Sequence, residues 1–275
     1  ARFYTYLSTL LLVMEAAAES DVEVLVLDRP NPHGHHVDGP MLDPAFKSFV
    51  GWAPVPVIHG MTFGELAKMA VGEGWLEGGL TPRLTVLKCE GYAHSDRYML
   101  SIAPSPNLPT HISVELYPSL CFLEPTNVSI GRGTPTPFEI GGVPRGMTPN
   151  IPVGKDALSF TPVSTPGASP HPKHEDVVCV GENFQSRGEK WWMEGPSWDL
   201  SILETYANSF RNDENEISGF FTSKGFFDKL AGTDQLRLCL EKGEGMEALK
   251  ALWHKDLIEF RKDRQPYLLY PIQRN

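Results

Sequence analysis

Residues Asp21 to Pro32 read DVEVLVLDRPNP, and the fold class turns on them. A short apolar run rich in valine and leucine stops at Asp28, and Pro30 and Pro32 bar any continuation as helix. Just before it, Phe3, Tyr6, Leu7, Leu10, Leu11, Met14, Ala17 and Ala18 recur at helical spacing and form one apolar stripe. Helix followed by buried strand is half of an α/β unit. Polar residues directly after such a strand fall at its carboxyl end, where open α/β sheets bind ligands. Asp28, Arg29 and Asn31 therefore read either as a strand-end turn or as a polar trio facing a ligand, and both readings stay open.

The same opening segment imitates a signal peptide, with Arg2, an apolar stretch and Ala16-Ala17-Ala18 as a small-residue cleavage site. The single helical stripe favours a helix of the domain. It begins without a preceding turn or cap, as though cut from something longer.

Working outward, VPVIHGMTFGELAKMAVGEGWL (55–76) repeats the pattern: a short strand to Ile58, a loop with His59, then a helix. Thr62 and Glu65 make a Thr-x-x-Glu capping box at its start. His59 reads as a hydrogen-bonded structural histidine or a substrate contact. RLTVLKCE (83–90) predicts a third strand, and Asn107 follows in the proline-stiffened loop PSPNLPT. From about Ser113 to Pro166 the chain is dense in Pro, Gly and Thr and reads as loops and short strands. Strands are expected in DALSFTPVS and EDVVCVGENF, so a second, α+β domain is expected from about Asn150. Its end is helical: one helix from a Thr233 N-cap to a Gly243 stop, then one burying Met246, Leu249, Trp253, Leu257 and Phe260 before Pro266.

Composition excludes several classes. At 275 residues, 41% hydrophobic and 21% charged, the chain can bury a core and is not disordered. A formal net charge of −10 carries the wrong sign for nucleic acid. No apolar run approaches the roughly 20 residues of a membrane span. Cys89, Cys121, Cys179 and Cys239 form no Cys-x-x-Cys pair and fix neither disulfides nor compartment. Oligomeric state is not legible.

Familiar catalytic signatures are missing: no nucleophile elbow, no His-Glu-x-x-His, no phosphate loop. The glycines of GRGTPT fail the dinucleotide fingerprint, so no cofactor is expected. His33, His35 and His36 match no common zinc spacing, and His171–Glu175 (HPKHE) fares no better, so no metal is expected. Trp191, Trp192 and Trp198 are core residues or a sugar-stacking surface. The most suggestive stretch is EPTNVSIGRGTPTPFE (124–139), where Glu124 and Glu139 bracket Arg132 in a proline-rich loop. The acids suit general acid/base work on a glycosidic bond, and Arg132 suits a planar grip on a carboxylate. The plainer alternative makes Arg132 the salt-bridge staple of an irregular loop.

The segments 28–69, PSPNLPT, YPSLCFLEPTNVSIGRGTPTPFEIGGVP and FFDKLAGTDQLR…YLLYP resemble the exo-β-N-acetylmuramidase family, in order and from about Ala1 to Pro271. The resemblance implies an α/β fold: a Rossmann-like domain, incomplete here, over residues 1–150, and a smaller C-terminal α+β domain over 151–275, with the active site between them. It implies exo-acting release of non-reducing terminal N-acetylmuramic acid from peptidoglycan fragments, outside the cytoplasm. The alternative is a muropeptide-binding or sensing module without catalysis. Peptidoglycan-derived saccharides are the expected partners, and the substrate's lactyl carboxylate gives Arg132 or Arg29 a purpose. Candidate catalytic acids are Glu124 and Asp28. Candidate substrate contacts are Arg2, Tyr4, Arg29, Asn31, His59, Asn107, Asn127, Arg132 and Glu139. Pro125 and Ile130 stand where family members commonly have glycine and an acid. The family's favoured glutamate lies in a Pro-Glu-His-Gly segment that this sequence lacks, so a chain missing early strands and its principal acid is expected.

Overall fold

Structural detail comes from a computed structural model, which describes residues 1–148, 150, 156–195 and 198–273, the side chain of Met246 excepted. The chain gathers into two compact units, the first formed by 1–98, 229–233 and 250–275, the second by 99–228 and 234–249. The expected division at 150 differs from this grouping: 99–150 associates with the second unit and the last 26 residues with the first. The physical reason is pairing. The proline-rich middle segment supplies a strand and loops to the second unit's sheet, and the C-terminal segment bonds to the strand ends of the first.

In the first unit, helix α1 (Tyr6–Glu19) buries Leu7, Leu11 and Met14, as the stripe predicts, while Tyr6 stays exposed. Ser8 and Glu15 complete the buried face, Ser8 Oγ donating to Phe49 O and Glu15 accepting from Glu77 N–H. Strand β1 (Val24–Leu27) alternates buried valine with exposed leucine and pairs in parallel with β2 (Leu84–Leu87), Val24 opposite Leu84 and Leu27 opposite Leu87. Helix α2 (Phe63–Gly72) lies in the crossover between them, as a parallel pair requires. The strand expected up to Ile58 does not form. Val55, Val57 and Ile58 are buried, but among the described residues the segment makes only a single antiparallel bridge, Asp38 to Ile58, with no ladder partner beyond it.

The second unit is α+β. Helix α3 (His111–Leu120) begins where loop was expected, because Thr110 and Ser113 cap each other and Ile112, Leu116 and Leu120 share a buried face. Pro118 in its last turn is what hides it. Strands β3 (Ile140–Pro144), β4 (Ala157–Phe160) and β5 (Cys179–Asn183) form an antiparallel sheet in the order β3-β5-β4. Helices α4 (Gln185–Glu194) and α5 (Ser201–Ser209) follow, and Phe122, Phe220 and Phe227 are fully buried. Helix α6 (Lys224–Ala231) leads to α7 (Gln235–Lys242), whose N-cap position falls at Asp234 rather than Thr233; Gly243 ends it with left-handed φ. Helix α8 (Met246–Asp263), whose residues from 250 on belong to the first unit, buries Leu249, Trp253, Leu257 and Phe260 and stops before Pro266 as expected. Trp191 and Trp198 are core, and Trp192 is half-buried against His111. All four cysteines are free thiols. Among the described residues no helix is long and apolar enough to cross a membrane.

Candidate functional site

The carboxyl ends of β1 and β2 carry a buried polar network. Asp28 extends the ladder, its N–H donating to Leu87 O at 3.0 Å, which turns its side chain toward the start of α2. There one carboxylate oxygen accepts from Gly64 N–H at 2.8 Å. The other accepts from Thr62 Oγ1 at 2.6 Å and the Tyr270 hydroxyl at 2.7 Å. A helix N-terminus offers unpaired N–H groups and a favourable dipole for this charge. Glycine at 64 is needed for the approach, since a Cβ there would stand 2.8 Å from the carboxyl of Asp28. Burial, with Asp28 adding to it, pushes the Tyr270 phenol far above its ordinary value and keeps it a donor.

Thr62 links this carboxylate to a second. The predicted capping box forms, Glu65 Oε2 accepting from Thr62 N–H at 2.8 Å. Glu65 Oε1 accepts from Leu269 N–H at 2.8 Å and pairs with His94 Nε2 at 2.9 Å, both side chains essentially out of solvent. A carboxylate already taking two N–H groups accepts here too, which puts the imidazole proton on Nε2.

Asn31 and His59 latch onto the same His59–Thr62 segment. Asn31 Nδ2 donates to Met61 O at 2.9 Å, and its Oδ1 accepts from His33 N–H at 2.9 Å. His59 is buried and its Nδ1 accepts from Met61 N–H at 3.1 Å, leaving the neutral ring's proton on Nε2. Burial pushes His59 well below its ordinary value. Arg29, by contrast, is exposed, and its guanidinium has no partner among the described residues. Asp28, Asn31 and His59 thus converge on one edge, with Arg29 beside them free to meet an anion.

Arg2 lies elsewhere in this unit. It is fully buried and donates to four backbone carbonyls, Pro40, Val55, Leu230 and Ala231, at 2.6–3.2 Å. That is the geometry of a staple rather than of an exposed saccharide contact. Tyr4 is half-buried and meets Tyr6 edge-on.

In the second unit, Glu124, Asn127 and Arg132 share one loop. Arg132 Nη1 donates to Glu124 Oε1 at 2.8 Å, both side chains partly exposed. Gly131 and Gly133 take positive φ around Arg132, and a Cβ on Gly131 would meet Thr136 O at 2.8 Å. Phe138 N–H closes the loop onto Ile130 O at 2.8 Å. Asn127 spends its amide on Gly219 O at 2.6 Å, and Asn107 spends its own on Ala168 O at 2.8 Å. Glu139 does not join Arg132. It is buried at the start of α3, accepting from Thr110 Oγ1 and, at 2.6 Å, from Gln185 Nε2.

Sequence reasoning missed Glu65 as anything but a cap, and missed His94, Tyr270 and Lys173 altogether. The Lys173 ammonium donates to four carbonyls of the Glu124 loop. The HPKHE motif was the available signal, weighed only as a metal site and set aside.

Fold and site define a mixed α/β protein with carboxylate-bearing loops at the carboxyl edge of a parallel pair and beside a small antiparallel sheet. The chain belongs to the exo-beta-N-acetylmuramidase NamZ family: residues 1–112 match its N-terminal domain and 115–270 its C-terminal domain. A curated relative, the peptidoglycan beta-N-acetylmuramidase NamZ of Bacillus subtilis (strain 168), is 37% identical over 278 residues. That match takes in 98% of this chain, which spans 64% of the relative's length. Two crystal structures of DUF1343 family proteins from Bacteroides fragilis NCTC 9343 are also similar. One has 40% identity and a TM-score of 0.86 over 99% of this chain and 73% of its own. The other has 26% identity and a TM-score of 0.71 over 98% and 72%.

Proposed function

We propose that the protein is an exo-acting glycoside hydrolase that releases non-reducing terminal N-acetylmuramic acid from peptidoglycan fragments, working outside the cytoplasm in cell-wall recycling. The observation that carries this reading is the match to both domains of the muramidase family along nearly the whole chain. Glycoside hydrolysis needs a carboxylate beside the anomeric carbon, either to activate water or to face the oxocarbenium-like charge. Glu124 suits that role. Arg132 pairs with its ionised form through one oxygen, and Oε2 has no partner among the described residues. Asp28 suits an orienting role instead, because three donors already occupy its carboxylate. The free guanidinium of Arg29 and the remaining nitrogens of Arg132 are the groups able to take the lactyl carboxylate.

The saturation of Asp28 also favours a second reading, a muropeptide-binding module without turnover. One assay separates the two: free N-acetylmuramic acid is quantified after incubation with a MurNAc–GlcNAc disaccharide. Release is expected, with Glu124→Gln lowering kcat about 100-fold or more. Binding of the disaccharide without release supports the module, and an undiminished Glu124→Gln enzyme removes Glu124 from catalysis.

A further inference from the structure

We propose that Lys173 is the positioning residue of the Glu124–Arg132 loop, an internal ammonium tie that holds Glu124 and Arg132 in the orientation presented to substrate. The inference rests on the reading of that loop as part of a muramidase site. Lys173 Nζ reaches the carbonyls of Leu123 at 3.2 Å, Glu124 at 3.0 Å and Val128 at 2.9 Å, and also that of Thr126. One of these is the carbonyl of Glu124 itself, so the tie acts one backbone unit from the proposed carboxylate. Pro125 and the Gly-Arg-Gly step exclude helix here, and a loop without regular pairing needs other donors for its carbonyls, Leu123 O excepted, which also accepts from Thr126 N–H and Oγ1. A single ammonium with three N–H groups, shared over four acceptors, supplies them.

The segment that delivers Lys173 is shaped for the task. His174 and Asp176 both adopt left-handed backbone, φ 59° each, which non-glycine residues rarely take without compensation. Pro172 lies against Gly133, the residue after Arg132, where a Cβ would stand 2.7 Å from its ring. His174 Nε2 adds a bond to Asn127 O at 2.7 Å. From Pro172 to His174, then, three consecutive residues each grip the loop between Leu123 and Gly133. The charged groups acting on Lys173 are Glu124 and Arg132, and His174 lies beside it.

The test uses Lys173→Met and Lys173→Ala, with three readouts: kcat and KM for N-acetylmuramic acid release, thermal stability, and hydrogen exchange of the 124–134 amides. Lys173→Met is expected to lower kcat about 100-fold, the effect of misplacing a reacting group by about an ångström, with a smaller rise in KM from the displaced Arg132. Exchange in the loop should quicken about tenfold while other segments keep their protection. Lys173→Ala should recover activity when ammonium or methylammonium is added, and not with tetramethylammonium, which cannot donate. Wild-type kcat in Lys173→Met, or a loss that merely follows the folded fraction and is not rescued, overturns the proposal. If the wild-type chain releases no N-acetylmuramic acid, the functional reading fails on its own. The exchange arm then decides the tie, unchanged protection in 124–134 overturning it.

Discussion

Arg29 and Arg132 sit in opposite electrostatic situations. Arg132 already shares one N–H with Glu124, so an incoming carboxylate must compete with that acid. Arg29 faces no such competitor among the described residues and lies one position past Asp28 at the sheet edge. Charged hydrogen bonds of this kind contribute about 1.5–3 kcal/mol, or roughly 10- to 100-fold in binding. On the proposed muramidase reading, Arg29→Ala is therefore expected to raise KM for muramic-acid substrates by about that factor, and to leave N-acetylglucosamine analogues, which lack the carboxylate, within about twofold. Steady-state kinetics on the paired substrates checks it; equal losses on both would assign the selectivity elsewhere, Arg132 first. At this scale the sequence was legible where position decides chemistry: Asp28, Arg29 and Asn31 follow a strand, and the edge is where they lie. It was opaque where distant carbonyls decide. Nothing near Arg2 announces that its guanidinium ends on Leu230 and Ala231, more than two hundred residues away.

Helix α2 shows how one cap serves two purposes. Thr62 Oγ1 accepts from Glu65 N–H and donates to Asp28, joining the helix start to the strand end. Loss of an N-cap costs about 1 kcal/mol, and an unsatisfied buried carboxylate lone pair adds about as much again. Thr62→Val, which keeps the shape, should thus lower stability by about 2 kcal/mol in urea unfolding, with Thr62→Ser restoring most of it. A Thr62→Val loss no greater than that of an ordinary cap would mean that Asp28 finds another donor. The capping box was legible because its four residues are local; the bond to Asp28 was not, because it spans 34 positions. The same contrast explains α3 and the segment before His59. Proline and threonine around α3 read as loop, yet Thr110 and Ser113 cap a helix and Ile112, Leu116 and Leu120 bury its face. The apolar run to Ile58 read as strand, yet it is buried with one antiparallel bridge, to Asp38, instead of a ladder.

At the scale of the whole molecule, linear domain order misleads because each unit is assembled from separated segments. The C-terminal Leu269 and Tyr270 complete a network begun at Asp28, a closure that no local pattern reports. Both units also bury titratable groups, and their signs set how stability and activity vary with pH. His59 in the first unit and His174 in the second are held below their ordinary values, chiefly by burial, and His35 is pulled down to about 4. The unfolded chain then binds protons before the folded one, so stability is present above about pH 6.5 and is lost as pH falls below it. Lys173 has the same sign higher up: burial pulls its ammonium down to about 8 from 10.5, so between those values the unfolded chain again holds more protons. Its contribution to stability rises with pH there, while the tie it provides to Glu124 loses its proton. The four cysteines, each pushed up chiefly by burial, oppose it over the same interval, so the Lys173 share is read as the difference between wild type and Lys173→Met. Between about pH 8 and 9 the wild-type thermal midpoint is expected to gain on that of Lys173→Met while wild-type kcat falls. A midpoint difference that stays flat would show that Lys173 does not lose its proton there and that the alkaline limb has another origin.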